Sequence, residues 1–408
     1  MPDVERLTAA DFDEAMDLLN LVFSMSSVPH DFASLLPKLY RRDSELMRAN
    51  LAIRLDGRIR AIVGVFPMEI SVAGRKLLAG GIGGVATHPR ETGAGLMRRL
   101  MTAALSEMRT AGCAISVLGG RRQRYAHYGY EKAGSSLDFV LSKHNIRHYG
   151  QGHALPEYRL LPFDTGCPAG VDPVRDGTLA RMKAWHDADL CHVCRSAADF
   201  PLILSSWQAR TWLALDAAGE PAAYLVVSKD GSSVTELKAA APEHLLPAAA
   251  AWVRQQSADA VHLALKPWEL ASIRQFSRIC ESWSISTAYN VNILDWPPVL
   301  ESYLRLKAIQ ADLADGILHL QIIRPDRALD LRLAVEGREV ACTAIANADA
   351  VDAGSRISLD DALATRLVFG PLPPAMLLPA DLPVTTEASR LLNSWFPLPF
   401  AWPGPDQI

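Results

Sequence analysis

Hydrophobic positions in the first third of the chain follow two periods, and the change between them marks the predicted elements. Alternation indicates strands, and recurrence every three to four residues indicates helices. The pattern predicts helices over 11–24 and 93–112 and strands over 50–55, 59–70, 77–86, 113–118 and 135–142. Asp56-Gly57 between the first two strands favours a hairpin. These elements make one α/β unit that ends near residue 146.

The rest of the chain divides into two further stretches. Residues 147–170 are rich in Gly, Pro and His, which predicts a linker. The next stretch predicts helices near 176–190, 197–205 and 242–256 and strands near 211–216, 222–228, 261–265 and 286–293. The last predicts helices over 298–313, 358–366 and 383–394 and strands near 316–323, 328–335 and 338–344. We therefore predict three domains, at 1–146, 147–294 and 295–408, in an α/β (α+β) class with central mixed sheets.

The turn between strand 77–86 and helix 93–112 carries the most specific chemistry. Arg90, Gly93 and Gly95 form an Arg-x-x-Gly-x-Gly pattern directly after the strand. Unpaired backbone N–H groups and the positive end of the helix dipole favour a pyrophosphate at such a turn. The glycines allow close approach of the backbone, and the forked Arg90 guanidinium suits phosphate oxygens.

Composition excludes several classes of protein. Of the 408 residues, 49% are hydrophobic and 21% charged, which indicates a globular chain of several domains. The net charge is −4 and no basic block stands out, so we expect neither nucleic acid nor a membrane as a partner. No apolar run reaches transmembrane length, and the N-terminus lacks a signal-peptide pattern. Six sparse cysteines indicate reduced thiols and a cytoplasmic location.

A second motif follows the helix, and together with the glycine turn it indicates a particular family. Strand 113–118 leads into Tyr125-Ala126-His127-Tyr128-Gly129-Tyr130, a Tyr-x-x-x-Gly-Tyr pattern. The order of strand, Arg-x-x-Gly-x-Gly, helix, strand and tyrosine motif resembles the GNAT N-acetyltransferases. The three-part plan, with the motifs in the first part alone, resembles the enhanced intracellular survival (Eis-type) family. That resemblance implies two tandem GNAT-like domains, the second degenerate, and a C-terminal domain like sterol carrier protein 2 (SCP2-like).

The resemblance implies an acetyl-CoA-dependent N-acetyltransferase that acts on a primary amine of a small molecule or lysine side chain. It places Tyr125 as the general acid that protonates the leaving thiolate. The acetyl-CoA site would comprise Gly83, Val85, Arg90, Glu91, Thr92, Gly93, Ala94 and Gly95. It also implies a homo-oligomer, a hexamer. The alternative is a non-catalytic CoA- or lipid-binding protein on the same scaffold.

The general base is less apparent, because strand 82–86 contains no Asp or Glu. Eis-type enzymes use the C-terminal carboxylate of the chain, which Ile408 would supply here. Familiar members end in an aromatic residue, whereas this chain ends in Asp406-Gln407-Ile408, so the Asp406 side chain is a second candidate. The acids Asp31, Asp43 and Glu45 of the irregular segment 25–45 either line the acceptor site or belong to a solvated loop.

A metal site is not expected. Cys191-His192-Val193-Cys194, preceded by His186 and Asp187, contains ligand residue types. No second ligand pair follows at zinc-site spacing, and on a helix these side chains would point in several directions.

Overall fold

The computed structural model of the chain describes residues 3–25, 28–166, 170–324, 327–345 and 356–408. Residues 26 and 27, which belong to the predicted irregular segment, lie outside the described residues. So does Cys167, one of the six cysteines predicted to be reduced thiols. The elements up to residue 150 are β1 (Glu5–Arg6), α1 (Phe12–Ser24), α2 (Phe32–Leu35), α3 (Ser44–Met47), β2 (Asn50–Leu55), β3 (Arg58–Val72), β4 (Arg75–Thr87), α4 (Leu96–Thr110), β5 (Ile115–Leu118), α5 (Arg122–Tyr125), β6 (Glu131–Ser142) and α6 (Lys143–Gly150).

The remaining elements continue the alternation of strands and helices. The middle of the chain forms β7 (Arg159–Phe163), α7 (Pro173–Asp187), β8 (Cys191–Val193), α8 (Phe200–Ser205), β9 (Arg210–Leu215), β10 (Pro221–Val227), β11 (Ser233–Ala239), α9 (Leu245–Gln255), β12 (Ala260–Leu265), α10 (Leu270–Phe276) and β13 (Ser282–Ile293). The last part forms α11 (Trp296–Gln310), β14 (Gly316–Ile323), β15 (Ala328–Glu336), β16 (Glu339–Ala344), β17 (Arg356–Asp360), α12 (Asp361–Phe369), α13 (Pro374–Leu377) and α14 (Thr386–Trp395). The predicted mixed α/β class is confirmed.

Thirteen of the described strands form one continuous sheet. Its order is β1-β2-β3-β4-β5-β13-β6-β12-β11-β10-β9-β7, and β8 pairs with the far end of β3. Strand β13 comes from the second predicted unit, yet it lies between β5 and β6 of the first and pairs antiparallel with both. The first two predicted units therefore share a sheet.

The helix behind the glycine turn forms because its apolar residues fall on one face. Leu96, Leu100, Ala104 and Met108 are buried at helical spacing along α4, while arginines occupy the opposite face. This buried face packs with Ile53, Val63 and Ile82 of the sheet in one hydrophobic cluster. Burial of that face fixes α4, and hence its N-terminus, against the sheet.

Two sequence predictions are wrong in the middle of the chain. The predicted linker 147–170 contains strand β7, which pairs with β9 at the sheet edge, where Pro162 is tolerated. The segment Cys191–Val193 is strand β8 and pairs with Ile70–Val72, so it is not helical. Pairing partners distant in sequence, which no local period reveals, decide both cases.

The last part of the chain packs a second sheet against the first. Its strands have the order β16-β15-β14-β17. One buried cluster joins this sheet to helix α11 and to strands β4 and β13, with Trp296, Tyr303 and Trp395 completely enclosed. The C-terminal tail, residues 396–408, starts within this cluster at Phe396 and Leu398.

Three further features bear on the class of protein. Among the described residues, none of the helices has the length and apolar character needed to cross a lipid bilayer. The described cysteines all carry free thiols. Where the chain is described, no group of three or more His, Cys, Asp or Glu side chains is arranged to hold a metal ion.

Candidate active site

The site begins where two parallel strands separate. Strands β4 and β5 pair from Ala79–Ile115 to Ile82–Leu118, where β5 ends, while β4 continues to Thr87. A bulge between β3 and β4 falls at the same point, and Gly84 has a left-handed φ of 56°. A Cβ at Gly84 would also lie 2.4 Å from the Tyr40 hydroxyl. Beyond Ile82, the edge of β4 is therefore no longer paired to β5 and can bind an extended ligand.

The glycine turn leads from β4 to the N-terminus of α4. Gly93 and Gly95 have positive φ values of 88° and 77°, which glycine adopts readily. Gly95 is the N-cap of α4, and no side chain caps the first turn of this 15-residue helix. Its first amides and the positive end of its dipole therefore remain available to an anion.

A cleft of about 460 Å³ opens beside this turn. Of the predicted acetyl-CoA residues, it is lined by Val85, Glu91, Thr92, Gly93 and Gly95. Gly83, Arg90 and Ala94 are not in the lining, and the Arg90 and Ala94 residues are exposed. Basic side chains that we did not predict, Arg98 of α4 and Arg124 of α5, line it together with His127 and Tyr128. Arg98 lies within the first turn of α4. A sequence-based prediction that places the start of this helix could therefore have identified Arg98 as a candidate for phosphate binding.

Tyr125 ends the short helix α5 and is buried, with its ring over the backbone of Gly120. Arg122 of α5 forms a bidentate pair with the buried Glu131 at 2.5 and 2.6 Å, which fixes this helix to the start of β6. Burial raises the pKa of Tyr125, and the neighbouring Arg124 only partly opposes this rise. The phenol therefore remains protonated at neutral pH, as a proton donor requires.

The end of the chain lies on β4 at the point where the strands separate. A Cβ on Gly81 would be 1.7 Å from Ile408 Cδ1, and one on Gly83 would be 2.2 Å from Ile408 Cγ2. Tyr289 of β13 has its hydroxyl beside the Ile408 backbone. Burial raises the pKa of Tyr289 to about 12, although the nearby Ile408 backbone opposes the rise. The absence of side chains at both glycines makes room for the chain end.

The parts of the site meet at the end of β5. The Tyr289 hydroxyl, which lies beside the Ile408 backbone, would be 3.3 Å from a Cβ on Gly119. Tyr125 covers the next residue, Gly120. The structure thus brings Tyr125, the terminus at Ile408 and the strand separation to one end of the β4–β5 pair.

The structure corrects one sequence interpretation and accounts for the residues of a second. The Asp406 carboxylate is buried and bound by Arg195 at 3.1 and 2.7 Å, so it is not free to act as a base. Asp31 and Asp43 accept hydrogen bonds from backbone N–H groups at the starts of α2 and α3, and the exposed Glu45 faces Arg48. Asp31 and Asp43 therefore stabilise helix N-termini as N-cap residues, and Glu45 lies on the surface.

Comparison with known proteins agrees with this geometry. Residues 3–133 match the family model described as an acetyltransferase (GNAT) domain. This part of the chain therefore carries a GNAT acetyltransferase domain. No curated protein matches the chain.

The whole chain is similar in fold to several solved structures. A GCN5-related N-acetyltransferase from Kribbella flavida is 20% identical over 98% of both chains, with a TM-score of 0.67. A probable N-acyltransferase from Enterococcus faecalis V583 is 15% identical over 100% of both chains, with a TM-score of 0.66. Eis1 from Mycobacterium abscessus is 16% identical over 100% of both chains, with a TM-score of 0.64. Because the identities are low, the similarity concerns the fold alone. It extends over nearly the whole chain.

Proposed function

We propose that the protein is an acetyl-CoA-dependent N-acetyltransferase that acts on a primary amine of a small molecule or lysine side chain. The observation that carries this proposal is the separation of β4 and β5 beside an uncapped helix N-terminus, within a domain that matches the GNAT family model. The strand edge would bind the pantetheine arm through its backbone, and the turn would bind the pyrophosphate.

The proposed reaction is a direct attack. The amine nitrogen forms a bond to the thioester carbonyl carbon, and the C–S bond then breaks as the tetrahedral intermediate collapses. The terminal carboxylate of Ile408 accepts the ammonium proton, and the Tyr125 phenol gives its proton to the leaving thiolate. Proximity of the two groups to the strand separation supports these roles.

Release of free thiol from acetyl-CoA is the direct test of this function. The full chain would be assayed with a panel of polyamines, aminoglycosides and lysine peptides. We expect thiol release to depend on at least one of these amines. Tight binding of CoA without release on any amine would favour the non-catalytic CoA- or lipid-binding alternative.

Arg98→Ala should weaken acetyl-CoA binding by roughly 1–3 kcal/mol, the usual loss for a charge-assisted hydrogen bond. Arg98 lines the cleft, whereas Arg90 does not, so Arg90→Ala serves as the matched control and should change affinity less. Titration of acetyl-CoA against both variants measures the difference. A larger loss in Arg90→Ala would return the phosphate contact to the residue that the sequence motif indicates.

Gly83→Ala should lower turnover about tenfold or more, because its Cβ would overlap Ile408 Cγ2 and displace the chain end. Ile408→Ala removes that atom and keeps the terminal carboxylate. The double variant should therefore recover most of the lost turnover, which a double-mutant cycle quantifies. Absence of recovery would mean that the new methyl group obstructs the acetyl-CoA arm instead.

We propose that the last part of the chain is an SCP2-like domain, that 147–294 forms a degenerate GNAT-like domain, and that the protein assembles as a hexamer in the cytoplasm. The free thiols fit a reducing compartment. Light scattering of the purified protein measures the mass, and a monomeric mass would contradict the hexamer.

A further inference from the structure

The second predicted unit contains its own pair of separating parallel strands. Strands β11 and β12 pair only at Ser233–His262 and Val234–Leu263, although β11 continues to Ala239 and β12 to Leu265. This repeats the arrangement of β4 and β5. The connection from β11 to α9, Ala240-Ala241-Pro242-Glu243-His244, lacks glycine, so no phosphate turn accompanies this second gap.

The C-terminal tail lies against this gap. A Cβ on Gly404 would be 3.2 Å from Thr235 Cβ of β11. A remaining cavity of about 260 Å³ is lined by both strands and by Trp402, Pro405 and Gln407 of the tail. The buried Lys266 donates to the carbonyls of Thr235 and Ala264 at 3.2 and 3.0 Å and so links the separated strands. The tail thus lies where the first unit would hold its ligand.

A buried ion cluster attaches the tail to β11. The Arg195 guanidinium, completely enclosed, binds the Asp406 carboxylate through two hydrogen bonds and Glu236 of β11 through two more, at 2.9 and 2.6 Å. Tyr224 donates a further hydrogen bond to Glu236 at 2.7 Å. Burial disfavours a charged Glu236, but Arg195 outweighs that effect and holds its pKa below the usual range. Such a cluster is tolerated in the interior because its charges are paired and hydrogen-bonded.

The opposite side of the tail contacts the first unit. Lys38 donates a hydrogen bond to the Pro405 carbonyl at 2.6 Å. Within the tail itself, the Trp402 indole donates a hydrogen bond to the Asp406 carbonyl at 3.2 Å. Two residues, Gln407 and Ile408, follow Asp406, and two residues span at most about 7 Å. The position of Asp406 therefore limits where the terminal carboxylate of Ile408 can lie.

We propose that the gap between β11 and β12 binds the chain's own C-terminal tail as an internal ligand. In this arrangement Arg195 is a positioning residue: it holds Asp406 and thereby presents the Ile408 carboxylate at the strand separation of the first unit. The expected effect of tail displacement on turnover rests on the proposed function, in which that carboxylate is the base. The binding of the tail in the gap does not depend on the proposed function.

Carboxypeptidase Y tests the tail directly, without reference to catalysis. Release of Ile408 from the folded full-length protein is followed by mass spectrometry. The wild-type end should be resistant, and Asp406→Asn should release Ile408 at least about tenfold faster. The matched control is Asp361→Asn, which removes the carboxylate of a different, partly buried ion pair, Arg324–Asp361 at 3.2 Å, in which Arg195 and Asp406 take no part. It should stay close to wild type.

Each outcome decides one of the two proposals. Asp406→Asn should also lower kcat about tenfold or more with an unchanged KM for acetyl-CoA, whereas Asp361→Asn should not. Equal release in both variants, or an unprotected wild-type end, would overturn the internal-ligand proposal whether or not Asp406→Asn folds. Faster release in Asp406→Asn with normal turnover would confirm that Arg195 holds the tail and would reject the terminal carboxylate as the base.

Discussion

A chain extended by a short peptide after Ile408 should bind acetyl-CoA normally and lose about 10²–10⁴-fold in turnover, the usual range for a lost acid–base group. The extension converts the terminal carboxylate into an amide, which cannot accept a proton. It also introduces new residues where Ile408 lies against Gly81 and Gly83. The acetyl-CoA cleft is lined by β4, the glycine turn and α4, so its affinity should change little.

The same peptide placed at the N-terminus is the matched control, because Glu5 and Arg6 belong to the edge strand β1 of the sheet. Turnover and acetyl-CoA affinity of both extended proteins would be compared with those of the unmodified chain. Ile408→Ala should be mild, since it keeps the carboxylate. Full activity of the C-terminally extended enzyme would reject the carboxylate as the base.

Loss of activity in Asp406→Asn would not by itself identify Asp406 as the base. The sequence made the Asp406 side chain a plausible substitute, because it lies two residues from the chain end. In the structure its carboxylate is occupied by the completely buried Arg195. Loss of turnover in that variant is therefore expected from displacement of the tail, and the extended chain is the more specific test of the base.

The sequence predicted the elements of the first unit well because local rules determine them. The Asp56-Gly57 hairpin, the glycine turn and the amphipathic α4 each depend on residues near in sequence, and their bounds agree closely with the structure. The hydrophobic period and the residues typical of turns are sufficient to predict the elements of this unit. Val85, Thr92, Gly93 and Gly95, which the family resemblance implied as acetyl-CoA residues, line the cleft.

Long-range pairing limited the prediction elsewhere. No local pattern indicates that β13 enters the sheet between β5 and β6, or that Tyr289 thereby reaches Ile408. Likewise, Arg195 follows Cys194 without any motif, and its partner Asp406 is 211 residues away. Buried ion pairs of this kind depend on tertiary contacts that a single sequence does not encode by spacing.

Tyr125→Phe should lower kcat by about 10²–10⁴-fold while acetyl-CoA affinity stays nearly constant. The substitution removes one hydroxyl from a buried ring and preserves its packing over Gly120 and against Tyr130. Without a proton donor, the leaving thiolate must depart as an anion or take its proton from water. Because burial raises the pKa of Tyr125, the wild-type rate should decline only at alkaline pH through this group.

The matched control for this prediction is Tyr128→Phe, which removes a hydroxyl from the same motif at a residue lining the cleft. It should retain most of its turnover. Steady-state kinetics of both variants, with the pH dependence of kcat, measure the difference. If Tyr125 only packs, Tyr125→Phe would keep near-normal turnover and the alkaline decline would remain. If it donates the proton, that decline should disappear together with most of the rate, because the variant has no phenol at this position to titrate.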